Sequence, residues 1–206
     1  MNTSSQESDA IAGEEFALGQ LRSLVCWIDD KLKGVDVDLT RKYRMAASCC
    51  YQTLEHQHAI ASLLGNKLDG SAFALLRVMT ESCIRGWWLM LCATDADVEY
   101  FQEHDGPPHG LNKLVDEIAR YAPVDNVFQK ILVNQWGTLC SFTHTGYLQI
   151  SQRMSSPILK SNVQMRLMAI SYTRNIGLLA AVGIAELSGN DALATLFEKA
   201  VRGAYN

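Results

Sequence analysis

The chain has 206 residues, 48% hydrophobic and 19% charged, with 18 Lys+Arg against 22 Asp+Glu. That apolar content excludes disorder over most of the length, because burying it offsets the entropy of ordering. A net charge of −4 argues against broad, sequence-independent binding to nucleic acid, which draws on a positive field, but leaves room for a local basic patch.

Four prolines and few β-branched residues beside Ala, Leu, Met, Gln and Glu favour helix over sheet. The segment 1–12 is polar and lacks the basic start of a secretion signal, so it is expected to be a disordered tail. The first helix is expected from about Glu14 to Lys33. Phe16, Leu21, Leu24, Val25 and Ile28 fall on one face and Glu14, Arg22 and Asp29 on the other, with the 3.6-residue period. Gly34 stops it. A second helix starts after Asp38, an expected N-cap, and runs to about Leu64 before Gly65-Asn66.

The third helix, about Ser71 to Ala93, is apolar nearly all round, with Phe73, Leu76, Met79, Ile84, Trp87 and Trp88 among its residues. A helix with so little polar face must be covered on most sides, so it is expected to be central. Thr94 followed by Asp97 reads as a capping box opening a short helix to about Glu103. Pro107-Pro108 between Gly106 and Gly110 breaks the chain. Helices at Leu111–Tyr121 and about Val127–Thr143 follow, separated by Pro123 and Asp125.

Ser156-Pro157 reads as the N-cap and first position of a long helix to about Leu187, halted by Gly189. Gly177, Ala181 and Ala185 lie four apart on it, a stripe that another backbone could approach closely. A last amphipathic helix runs from Asp191 to about Val201, with Leu193, Leu196 and Phe197 on one face. The expected fold class is all-α: a single helical bundle of seven or eight helices over 13–206, with core helices at about 71–93 and 157–187. The longest uncharged apolar stretch, Asn175–Ala185, falls short of the ~20 residues of a membrane span, so none is expected. Six cysteines sit among apolar helical residues without a C-x-x-C spacing. They read as buried, reduced thiols in a cytoplasmic protein.

Arg77, Glu81 and Arg85 recur every four residues along the apolar third helix, so they share one face. Desolvated charges must be paired and hydrogen-bonded. Two readings follow: a polar site inside the bundle, or an internal Arg–Glu–Arg ladder that sets helix register. A second polar group, Ser141, Thr143, His144 and Thr145 with nearby Gln149, closes the sixth helix beside Gly146. His144 suits a general base or a phosphate contact, or a cap at a helix C-terminus.

The run LLRVMTESCIRGWWL (Leu75–Leu89), followed by SFTHTGYLQ (Ser141–Gln149), resembles a group of bacterial helical proteins, distantly HEPN-like and in part linked to abortive infection. The resemblance rests on an Arg-x-x-x-Glu on one helix, here Arg77 and Glu81, and a Ser-x-x-His on a later one, here Ser141 and His144. It implies a helical fold and a defence or stress role with a polar site contacting RNA or a nucleotide. HEPN ribonucleases carry His four to six residues after Arg, a spacing absent here, so ribonuclease activity is not expected.

Glu55 and His58 form a single Glu-x-x-His, whereas carboxylate di-iron bundles use two. They read as an exposed face, and no metal or cofactor is expected. His104 and His109 flank the double proline and are expected in water. No phosphate-cradling glycine loop, nucleophile elbow or H-E-x-x-H occurs. Arg41, Lys42 and Arg44 form one basic cluster, read as solvated surface or a phosphate contact. The leading expectation is a non-enzymatic interaction protein that self-associates as a homo-oligomer. The alternative is the HEPN-like role, with Arg77, Glu81, Arg85, Ser141, His144 and Gln149 as its polar site.

Overall fold

The apolar periods fold as helices in a computed structural model that describes residues 3–37, 40–121, 127–155 and 163–205. Among the described residues ten helices follow in order: α1 (Thr3–Leu32), α2 (Arg41–Gly65), α3 (Asp69–Leu91), α4 (Asp95–His104), α5 (Leu111–Tyr121), α6 (Val127–Asn134), α7 (Trp136–Thr143), α8 (Tyr147–Ser155), α9 (Val163–Leu187) and α10 (Asp191–Tyr205). The architecture is an all-α bundle. Asp38, Pro123, Asp125, Ser156 and Pro157, singled out as punctuation, lie outside the described residues.

α3 and α9 form the centre, as their all-round apolar composition requires. α2 packs along α3, while α9 is flanked by α1, α2, α3 and α10. Phe73, Leu76, Met79, Ile84, Trp88 and Leu89 of α3 meet Ile176, Leu178, Ala181, Ile184 and Ala185 of α9 in one buried core. Thr80 and Tyr172 join the two helices through a 2.6 Å hydroxyl pair. By length and composition α9 is apolar enough to cross a membrane, although 72% of its most apolar window is buried inside the bundle. The uncharged run Asn175–Ala185 within α9 is bounded by Arg174 and Glu186.

The stripe at Gly177, Ala181 and Ala185 is buried within the same chain. A Cβ added at Gly177 would sit 2.0 Å from Gln57 Nε2, and the Gln57 amide reaches the Thr173 carbonyl at 3.4 Å. At Gly177 the stripe thus admits the Gln57 side chain of α2, and the stripe expected to face another backbone is covered within the chain. Gly177→Ala is therefore expected to destabilise the fold by about 1–3 kcal/mol through overpacking. Urea denaturation checks this, and Gln57→Ala in the same chain should relieve much of the loss.

Thr94 opens α4 with the expected capping box: its hydroxyl accepts the Asp97 N–H at 3.3 Å, and Asp97 Oδ2 accepts the Thr94 N–H at 2.8 Å. Burial pushes the Asp97 carboxyl up, but hydrogen bonds from the Thr94 backbone and hydroxyl together with the charges of His109 and Lys113 hold it below its ordinary value.

Several expectations need correction. α1 extends N-terminally to Thr3 across the segment read as a disordered tail. Residues 9–13 are exposed there, so that part is held by the helical backbone rather than by packing. The buried stripe of α1 is Leu18, Leu21, Val25, Ile28 and Leu32. Phe16, assigned to the core face, is 68% exposed, while Glu14, assigned to the polar face, is buried. Glu14 lies four residues before Leu18 and seven before Leu21, so helical geometry places it on the apolar side.

The helix expected over 127–143 breaks at Gln135 into α6 and α7, and α8 was not foreseen. Cys50 and Cys83 are buried as expected, but Cys26 is exposed and Cys49, Cys92 and Cys140 are half-buried. Burial pushes the Cys50 and Cys83 thiols far up, which leaves them poor nucleophiles.

The internal ionic network is also not the one expected. Arg166, at the start of α9, is buried and donates from Nε to Glu14 Oε1 at 2.7 Å and from Nη2 to the Leu64 carbonyl at 2.8 Å. Its Nη1 contacts Asp69 Oδ1. Lys67 Nζ approaches Glu14 Oε1 at 3.7 Å from the surface, so two cations answer two carboxylates. One guanidinium therefore clamps α1, the end of α2, the start of α3 and the start of α9.

Candidate functional site

The second polar assembly lies where α7 crosses α3. On α3, Arg77 Nε donates to Glu81 Oε1 at 2.8 Å, and Arg85 Nη2 pairs with Glu81 Oε2 at 3.5 Å. Helical spacing alone brings these three side chains together. They are 23%, 19% and 38% exposed for Arg77, Glu81 and Arg85. The face borders solvent, which corrects the expectation of a ladder inside the bundle.

α7 is held against α3 by Phe142, whose ring packs on Phe73 with centroids 5.1 Å apart and planes at 42°. The Thr143 hydroxyl lies 3.2 Å from the Ala74 carbonyl and 3.0 Å from that of Leu139. This docking fixes both ends of α7 over the charged face. At its start, the Trp136 ring lies 5.1 Å from the Arg77 guanidinium carbon, a cation–π distance. At its end, His144 is the C-cap residue, its N–H bonded to the Cys140 carbonyl at 3.0 Å.

His144 Nε2 meets Arg77 Nη1. A guanidinium has donors only, so Nε2 takes the acceptor's place in this contact. Arg77 thus joins Glu81, His144 and Trp136, and Glu81 joins Arg77 to Arg85. Two guanidiniums share one carboxylate, which leaves a local positive excess on a protein of net charge −4.

The remaining candidates serve the turn rather than the cluster. Thr145 adopts φ +54°, and the Gly146 N–H bonds to the Ser141 carbonyl at 2.7 Å. A Cβ at Gly146 would fall 2.5 Å from Ser141 Oγ, so the glycine lets the chain fold back over Ser141. Gln149, on α8, donates to the Gly70 carbonyl at 3.3 Å and ties α8 to the start of α3. Its Oε1 is buried without a hydrogen-bond partner. Arg77, Glu81, Arg85 and His144 therefore come together, while Ser141 and Gln149 position the segment that carries His144.

Trp136 was missed by sequence reasoning. Its signal, an aromatic residue eight positions before His144, has meaning only once α7 is known to cross α3.

The other candidates lie apart. His58 and Glu55 are exposed, and His58 Nε2 pairs with Asp29 Oδ2 at 2.9 Å. His104 is exposed and stacks on Tyr100 at 4.0 Å, whereas His109 is half-buried with Lys113 Nζ 2.9 Å from its Nε2. Arg41 donates to Gln102 at 3.0 Å. Among the described residues, no group of three His, Cys, Asp or Glu side chains is placed to hold a metal ion.

A family model, described as a family of unknown function (DUF6988), matches residues 50–205. The match takes in Arg77, Glu81, Arg85, Trp136 and His144 and leaves out α1. No curated protein and no solved structure matches the chain. The chain belongs to DUF6988.

Proposed function

We propose that the cluster on α3 and α7 binds the phosphate of RNA or a nucleotide, and that the chain is an HEPN-like defence or stress protein acting through this binding. The observation that carries the reading is the meeting of Arg77 and His144 across 67 residues of sequence, beside a carboxylate that Arg77 shares with Arg85. Guanidinium groups recognise phosphate oxygens through paired N–H donors, and Arg77 has more donors than its contacts to Glu81 and His144 use. Trp136 supplies an aromatic ring at the same place, as sites for single-stranded nucleic acid do. Support also comes from the resemblance: the Arg-x-x-x-Glu and Ser-x-x-His segments are the ones that converge.

The reading predicts that a short single-stranded RNA binds the protein with an affinity that falls as salt rises. Arg77→Gln should weaken binding by about tenfold and lower the salt slope by about 1, the loss of one phosphate contact. Fluorescence anisotropy of a labelled RNA, with circular dichroism to establish folding, checks this. Equal binding by a folded Arg77→Gln variant would overturn the reading.

A second reading, a self-associating interaction protein, draws on one observation. Tyr147, Ile150 and Met154, three and four residues apart on one side of α8, are exposed apolar side chains, and apolar surface of this kind marks interaction sites. Sedimentation mass tests it, and a strict monomer at high concentration would remove it. The Gly177, Ala181 and Ala185 stripe no longer argues for it, since α2 fills that approach.

A further inference from the structure

A half-open, mostly apolar pocket of about 140 Å³ lies where α3, α5, α6, α9 and α10 meet. Its walls are Trp87, Val115, Ile118, Phe128, Leu179 and Val182, with Gln129, Glu198 and Arg202 as the charged and amide groups of the lining. Trp87 and Phe128 stand at 6.5 Å between centroids and 60° between planes, an aromatic pair within the wall.

The polar groups around it define what it can hold. The Trp87 N–H is already given to the Leu179 carbonyl at 3.2 Å. The Gln129 amide reaches Asp116 at 3.3 Å, and Arg202 pairs with Glu198 at 3.4 Å. The Arg202 and Glu198 side chains are 79% and 45% exposed, so they stand toward solvent, and the apolar walls offer nothing to offset the lost hydration of a charged ligand. A space of about 150 Å³ between apolar walls is enough to hold a benzene-sized molecule. We propose that this cavity is a binding site for a small uncharged molecule the size of one aromatic ring. The site is separate from the phosphate cluster and does not rest on that reading.

Toluene is the probe, and benzoate is its charged counterpart. The thermal midpoint of the full chain should rise with toluene concentration, as binding to the folded state requires, and should not respond to benzoate. Ala119 also lines the cavity, so Ala119→Leu fills it and should abolish the response while the protein stays folded. Val201→Phe, from α10, is the second filling variant if the first fails to fold. A midpoint flat up to the solubility of toluene, an equal response to benzoate, or an unchanged response in a folded filled variant would each overturn the proposal.

Discussion

Arg166→Met is expected to cost the fold about 3–5 kcal/mol, because it removes the buried cation that two buried carboxylates share, Lys67 reaching Glu14 only from the surface at 3.7 Å. Glu14 and Asp69 side chains are only 5% and 9% exposed, so water cannot take over the role of the guanidinium. The Leu64 carbonyl loses its donor as well. A domain of this size has only about 5–15 kcal/mol of stability, so the loss leaves little in reserve and should be plain in a urea midpoint. Replacing the whole set of charges by apolar groups is often close to neutral. Adding Glu14→Leu and Asp69→Leu to Arg166→Met should therefore recover much of the stability. A single Arg166→Met variant within about 1 kcal/mol of the parent would contradict a buried clamp, since exposed pairs lose no more than that.

Phe142→Ala should cost about 3–5 kcal/mol, the range for deleting a buried aromatic ring. Phe142 and Phe73 are both buried, and their contact is the main apolar tie between α7 and α3 near the charged cluster. The variant should also release His144 from Arg77 and weaken RNA binding beyond what lost stability explains, because α7 carries both Trp136 and His144. Phe142→Leu keeps most of the volume and should cost less than about 1.5 kcal/mol. If Phe142→Ala bound RNA as the parent does while folded, α7 docking would not position the site.

Local chemistry was legible where one segment decides the outcome. Leu111–Tyr121 is a helix with the bounds read from its apolar period, and Thr94 with Asp97 forms the capping box that its spacing announces. The i, i+4 ladder of Arg77, Glu81 and Arg85 was equally readable. The break at Gln135 was not, since no proline marks it and the packing of α7 on α3 decides it. α8 was missed because its apolar residues Tyr147, Ile150 and Met154 face outward and give no buried period. Glu14 illustrates the deepest limit. It sits in register with leucines, but its partner Arg166 is 152 residues away, and no periodicity reports so distant a pairing. The meeting of Arg77 with His144 was suggested by two short resembling segments rather than by spacing.

Side-chain NMR of the His144 imidazole and the Arg77 Nε–H during titration with a short single-stranded RNA tests the proposed phosphate site most directly. Both signals should shift together and saturate at the same RNA concentration, with Arg85 following. If they stay fixed while RNA binds and resonances of Arg41 or His104 move in their place, the nucleic acid sits elsewhere and the convergence on α3 and α7 is not its site.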